Sequence, residues 1–257
     1  MPFFYYRIFI AFAFLISFTC QASRYTIVID PGHGGKDFGA VGKITNEKTI
    51  NLDVAILAGE IIKKDHPDID IVYTRSDDRY ISLKERADIA NNAEGDLFIS
   101  IHVNSVAKSN RRRTTIKGTS VYTLGLHKSA ANFEVAKREN SVISLDTDFA
   151  TSYEGFDPAS AESYIMFELG QNRHIDQSVR FAQHVQNNLI KTAGRTNNGV
   201  RQAGFWVLWA TSMPSVLIEL DFICNPMMEK YLDSDKGKQA MAQSISDAFS
   251  SYLGAGS

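Results

Sequence analysis

Four short segments hold residues able to do chemistry. Asp30-Pro-Gly-His-Gly-Gly35 sets His33 between glycines that let the backbone turn tightly. Asn46-Glu47-Lys48 sets Glu47 at the start of a helical pattern, Ser100-Ile-His-Val-Asn104 carries His102, and Ile218-Glu219-Leu220 carries a carboxylate in an apolar run. Two imidazoles and one carboxylate, His33, His102 and Glu47, are a catalytic zinc set that leaves the fourth position to water. Such a water needs a proton acceptor, and Glu219 is available. Each residue also has a plainer reading. His33 could be a turn residue and His102 could bond a backbone carbonyl. Glu47 could be a first-turn helix charge. Glu219 is harder to dismiss, because a lone carboxylate in IELDF is costly to bury unpaired. The segments are far apart in sequence, so spacing alone leaves both readings open.

The elements that must position these residues alternate in type. Tyr25–Asp30 is a β-branched run that stops at Pro31-Gly32, a buried strand. Ile50, Val54, Leu57 and Ile61 form one helical stripe ending before Pro67. Asp70–Thr74 reads as a second strand, Leu83, Ala87 and Ala90 mark a helix, and Leu97–His102 is a third strand. Thr119–Thr123, Phe205–Trp209 and Ser215–Leu220 complete the set, and Met241, Ile245, Ala248, Phe249 and Tyr252 make a closing helix. The fold class is α/β: a single domain with a mixed, mostly parallel sheet of about six strands flanked by helices. In such sheets ligands bind at the carboxyl ends of the strands, where His33 and His102 fall. The stretch 126–172 breaks the alternation. It opens as a polar helix (HKSAANFEVAKREN), turns irregular, and reads as a helical insertion of the functional or mobile kind.

Composition narrows the class further. The chain has 257 residues, 44% hydrophobic and 22% charged, which excludes a disordered or low-complexity protein. With 27 Lys+Arg against 29 Asp+Glu there is no basic surplus for nucleic acid. Ile8–Phe18 is an apolar run behind Arg7, too short for the roughly 20 residues of a membrane span and fitting a secretory signal cleaved after Ala22. Residues 1–22 are therefore read as signal and 23–257 as the catalytic domain, exported to the periplasm or cell-wall space, with no membrane span after cleavage. Lipid attachment at Cys20 is the competing reading, which Phe18 and Thr19 disfavour. Cleavage leaves Cys224 alone, without a disulfide partner, and its apolar setting suits a buried small hydrophobe. GxSxG and phosphate-loop spacings are absent, and His66, His127, His174 and His184 lie in polar segments expected to be solvated.

Taken together, IVIDPGHGGKDFGAVG, the following NEK, TRSDDRYISLKERADIANNAEGDLFISIHVNS and PSVLIELDFICNP resemble the zinc-dependent N-acetylmuramoyl-L-alanine amidases of the Amidase_3 family, from about Tyr25 to Leu253. The resemblance implies that His33, Glu47 and His102 bind one zinc ion and that Glu219 is the catalytic carboxylate. It implies peptidoglycan as substrate, cut at the amide between N-acetylmuramic acid and L-alanine. Asn104, Arg75 and Arg86 are candidate substrate-binding residues, the arginines for stem-peptide carboxylates.

AKRENSVI, within 126–172, looks like the cell-division branch of that family, whose inserted helix blocks the zinc with a carboxylate until a LytM-type activator displaces it. Glu139 is the candidate plug, with Glu134, Glu154 and Glu162 as alternates; a solvated charged helix is the plainer reading. Deleting Ala130–Ala161 should then raise basal activity. A monomer is expected. Two rival functions are a zinc peptidase acting within the stem peptide and a non-catalytic peptidoglycan-binding protein.

Overall fold

The computed structural model describes residues 24–126, 129–147, 149–153, 155–169 and 173–255. The proposed signal, His127 and Glu154 lie outside the described residues. Six strands form one sheet: β1 (Thr26–Pro31), β2 (Asp70–Tyr73), β3 (Leu97–Asn104), β4 (Thr119–Leu124), β5 (Asn197–Ala203) and β6 (Ser215–Phe222). Their order is β2-β1-β3-β6-β4-β5, and each neighbouring pair is parallel except β4–β6. This is the mixed, mostly parallel sheet expected.

Every residue of β3 and β6 is buried, as both faces of the sheet are covered. Alternate residues feed separate cores. Ile27, Ile29, Ile99 and Ile101 face α1 (Glu47–Asp65), α6 (Ile175–Lys191) and α9 (Asp235–Gly254). Val28, Phe98 and Leu217 face α2 (Leu83–Asn92), α7 (Trp206–Ala210) and the insertion.

Two elements depart from expectation. Phe205–Trp209, read as a strand, is the turn into α7, with Trp206, Val207 and Leu208 buried. A short apolar run has no periodicity that separates a strand from a buried helical turn. The true edge strand is β5, NNGVRQA, whose half-exposed polar residues carry no strand signature.

The insertion is ordered around aromatics. It contains α3 (Ala130–Asn140), a 3-10 turn (Ser141–Leu145), α4 (Phe149–Ser152), a second 3-10 turn (Ala161–Ile165) and α5 (Met166–Leu169). Val135, Ile143, Tyr153, Phe156, Tyr164 and Phe167 join the second core. Asn140 locks the end of α3, donating to Gly204 O at 2.7 Å and accepting from Trp206 N at 2.9 Å.

Candidate metal centre

The DPGH turn at the end of β1 is built by buried charge. Asp30 is 1% exposed and accepts from Thr74 Oγ1, Arg86 Nη1 and Ser100 Oγ at 2.6, 2.6 and 2.7 Å. Burial raises its pKa, but the Arg86 guanidinium and these bonds hold it below the usual carboxylate range. Arg86 also donates to Pro31 O and His33 O, and Arg75 donates to Pro31 O, Gly32 O and Lys48 O. This corrects the expectation for both arginines. At 0% and 2% exposure, Arg75 and Arg86 face inward and spend their donors on the backbone of the turn, so neither reaches a substrate carboxylate.

That scaffold aims His33, whose φ of 63° is left-handed and rare for a residue with a side chain. Its Nδ1 lies 2.7 Å from Asp37 Oδ2, which orients the ring and points Nε2 inward. Gly32 permits the close approach of the second imidazole: a Cβ there would stand 2.3 Å from His102 Nε2. Glu47, 0% exposed, begins α1 just after Asn46, whose side chain caps Thr49 N. Its carboxylate accepts from Ala40 N and Val103 N at 2.8 and 2.9 Å. His102 lies two residues before the end of β3, and the register sets it directly beside Glu219 on β6.

The fourth corner is Glu139, from the last turn of α3. His33 Nε2 lies 3.2 Å from Glu47 Oε1 and 3.1 Å from Glu139 Oε2. His102 Nδ1 lies 3.1 Å from each of the same two oxygens. Despite this proximity, His33 Nε2 and Glu139 Oε2 make no hydrogen bond, being neighbours without bonding geometry. Four ligands about 2.0–2.1 Å from a tetrahedral zinc would stand roughly 3.3 Å apart, close to the edges seen here. The charges agree. Burial lowers the pKa of both imidazoles, but Glu47 lifts His33 well above its ordinary value and Glu139 lifts His102 to about 9. Burial raises the carboxylates, but His33 pulls Glu47 down, and Arg138 with His102 pulls Glu139 down. The two carboxylates thus demand two positive charges, which one dication supplies in place of two protons. Nitrogen and oxygen donors in this number suit zinc.

Glu219 stands beside the cluster, 0% exposed, with Oε2 unpartnered. Burial pushes its pKa up to about 8; Arg138 opposes the rise, and Glu139 and Glu47 add to it. Arg138 lies across the site. Its Nη2 is 2.7 Å from Glu139 Oε1 and 3.2 Å from Glu219 Oε1, and its Nη1 donates to Asn104 Oδ1 and Ser105 O. The structure therefore brings together His33, Glu47, His102, Glu139, Glu219 and Asn104. Glu134 and Glu162 are exposed and away from the cluster. Sequence reasoning missed Asp37 and Arg138; their adjacency to His33 and Glu139 was the one available signal. Cys224 is buried and free, and His66, His174 and His184 are half-buried rather than fully solvated.

Comparison with known proteins shows the family. Residues 27–251 match Amidase_3, described as N-acetylmuramoyl-L-alanine amidase. The chain belongs to this family. Among Amidase_3 relatives, it is 35% identical over 237 residues to the N-acetylmuramoyl-L-alanine amidase AmiC of Escherichia coli O6:H1, covering 90% of this chain and 53% of AmiC. The chain thus spans about half the length of that relative. It is 31% identical over 237 residues to AmiA of Escherichia coli K12, covering 91% of this chain and 78% of AmiA. The crystal structure of an N-acetylmuramoyl-L-alanine amidase from Clostridium difficile 630 superposes with a TM-score of 0.68 at 28% identity, covering 91% of this chain and 98% of that one.

Proposed function

We propose that this chain is a zinc-dependent amidase that cleaves peptidoglycan between N-acetylmuramic acid and L-alanine, held closed at rest by its insertion. The observation that carries the reading is the convergence of His33, Glu47 and His102 beside Glu219 in a chain of this family. His33, Glu47 and His102 would hold the zinc, which when bound lowers the pKa of a water to about 7 and polarises a carbonyl. Glu219 takes the water's proton on its carboxylate and returns it to the leaving amine. Asn104, fixed at the mouth by Ser105 N, offers its side-chain amide to the substrate once Arg138 leaves.

Two contacts support autoinhibition. Glu139 fills the corner of the cluster that water would need, and Arg138 occupies the carboxylate of Glu219. Opening is then a displacement of α3, a two-state event that an activator of the LytM type would bias. The basic-then-apolar sequence of residues 1–22 supports export, so the periplasm or cell-wall space is the proposed location, with a role in cell division. Among the described residues, no helix is long and apolar enough to cross a membrane.

The test uses the chain from Ser23 carrying Arg138→Gln and Glu139→Gln, incubated with isolated sacculi, with zinc or a chelator. Mass spectrometry should find zinc-dependent release of stem peptides with a free N-terminal alanine. Cuts elsewhere in the peptide would instead indicate a peptidase. Adding Glu219→Gln should retain bound zinc and lower turnover by about 10²–10⁴; full activity in that variant would remove Glu219 from the mechanism. Deleting residues 130–161 is a poorer test, because it strips Val135, Ile143, Tyr153 and Phe156 from a core.

A further inference from the structure

The loop between β1 and α1 touches two of the proposed metal ligands at once. Asp37 orients the His33 ring. Gly39, with a φ of 62°, lets the backbone pass close to both ligands: a Cβ there would stand 2.5 Å from His33 Cδ2 and 2.7 Å from Glu47 Oε2. Ala40 N then donates to Glu47 Oε2 at 2.8 Å. Oε1 is the oxygen that faces the imidazoles, 3.2 Å from His33 Nε2 and 3.1 Å from His102 Nδ1. The place of Ala40 N therefore decides how Glu47 presents its carboxylate to a metal ion.

Apolar packing does not hold this loop. Its large apolar side chains Phe38, Val41 and Ile44 are 50, 62 and 63% exposed. Residues 40–47 close on themselves instead, Glu47 N donating to Ala40 O at 2.9 Å and Gly42 N to Thr45 O at 3.0 Å. A turn closed this way keeps its shape but still needs a tie to the body of the protein. That tie is Glu229, on α8 (Pro226–Asp233). Glu229 is buried, and its Oε1 accepts from Ile44 N at 2.7 Å and from Thr45 N at 3.1 Å. Gly42 closes over it: a Cβ there would stand 2.0 Å from the same oxygen. Among the described residues Glu229 forms no ion pair, so a costly buried carboxylate is given over to two backbone donors of one turn. The start of α8 is itself fixed. Asn225 accepts from Met227 N as its cap, and its Nδ2 donates to Ile116 O at 2.9 Å.

We propose that Glu229 is a positioning residue for the metal centre: through the turn at residues 40–45 it fixes Ala40 N on Glu47 Oε2, so that Glu47 offers the metal Oε1 alone. The proposal rests on the zinc reading given above. It makes the chain segment that carries Glu219 on β6 also the anchor of a metal-ligand loop, since α8 follows β6 directly.

The test measures zinc affinity of the chain from Ser23 by competition with a chelator. Visible spectra of the cobalt-loaded proteins report the number of ligands. Glu229→Ala leaves two turn N–H groups without their acceptor and should weaken zinc about 10–100-fold, the usual cost of losing support behind a ligand. It should also alter the cobalt spectrum. Glu229→Gln keeps an acceptor oxygen at the same reach and should hold zinc within a few-fold of the parent, with the parent's spectrum. Gly42→Ala crowds the same oxygen from the turn and should weaken zinc as Glu229→Ala does, so the test survives if Glu229→Ala does not fold. Ile245→Val, a packing loss in the core, controls for general stability and should leave zinc affinity unchanged. Parent-like zinc affinity in both Glu229→Ala and Gly42→Ala would overturn the proposal. A Glu229→Gln variant that binds zinc poorly would overturn it too, assigning the effect to charge, and so would an equal loss in Ile245→Val, assigning it to stability. The zinc reading fails separately: a parent chain that binds no zinc sinks both, whereas a parent that binds zinc beside unaffected variants sinks the role of Glu229 alone.

Discussion

The floor and the lid of the site are built differently. The floor carries His33 and His102 near strand ends, Glu219 inside β6 and Glu47 at a helix start, each braced by backbone hydrogen bonds or by neighbouring strands buried along their length. The lid, residues 129–169, reaches the site through one helical turn. It is held down by aromatic edges and by removable polar contacts: Tyr80 Oη donates to Asp146 Oδ1 at 2.5 Å and Lys36 Nζ donates to Leu145 O at 2.9 Å, while Tyr153 Oη, within the lid itself, braces Asp146 Oδ2. The difference teaches that the floor's geometry is fixed by the sheet; on the proposed reading, opening needs only the last turn of α3 to move off it, not the aromatic part of the insertion to leave the core.

The largest expected effect tests the floor. Asp30→Asn leaves the buried Arg86 charge without its counter-ion and should cost about 3–5 kcal/mol in denaturant unfolding. The pH dependence has a defined sign. The folded pKa of Asp30 is depressed, so its contribution is present above the ordinary carboxylate value of about 3.9 and is lost as pH falls through the folded value. The variant should lack that acid-side loss; an identical acid limb in parent and variant would break the account.

The lid is tested next. Arg138→Gln with Glu139→Gln removes both contacts to the site and should raise basal hydrolysis on the order of a hundredfold, a population shift of about 2.7 kcal/mol. Unchanged hydrolysis in a folded variant would mean that the lid does not gate. Asp37→Asn should weaken zinc binding about 10–100-fold, read by competition with a chelator, because the His33 ring loses its orienting carboxylate. The smallest effect should come from Asp146→Asn. It loosens one phenol contact between lid and floor, from Tyr80, worth about 1 kcal/mol, and should raise basal activity several-fold while leaving thermal unfolding of the floor almost unchanged. A loss of overall stability as large as that of Asp30→Asn would erase the distinction between the two regions.

What was legible in the sequence follows the same division. β1, β3 and β6 announce themselves as apolar runs; the ends of the first two mark His33 and His102, and Glu219 stands out as a carboxylate inside the third. Glu47 was readable from its helix start. The buried arginines were not: Arg86 reaches Asp30 across 56 positions, and a charged residue read alone belongs on the surface. β5 hid because a polar edge strand needs no hydrophobic face. Asp37 and Arg138 hid because orienting a ligand or bridging two carboxylates leaves no periodic trace.

The place of β6 in the sheet has a consequence for how the enzyme comes into being. It is the last strand in the sequence, yet it lies between β3 and β4, so neither of those strands is paired on that side until residue 215 and beyond have been made. Such non-local pairings are slow to form and expose unpaired edges while they wait. The three proposed metal ligands, His33, Glu47 and His102, are present by residue 102, but the carboxylate at 219 joins them only when the central strand docks. A nascent chain can therefore assemble its metal ligands long before it can hydrolyse anything, and reactivity arrives together with completion of the fold.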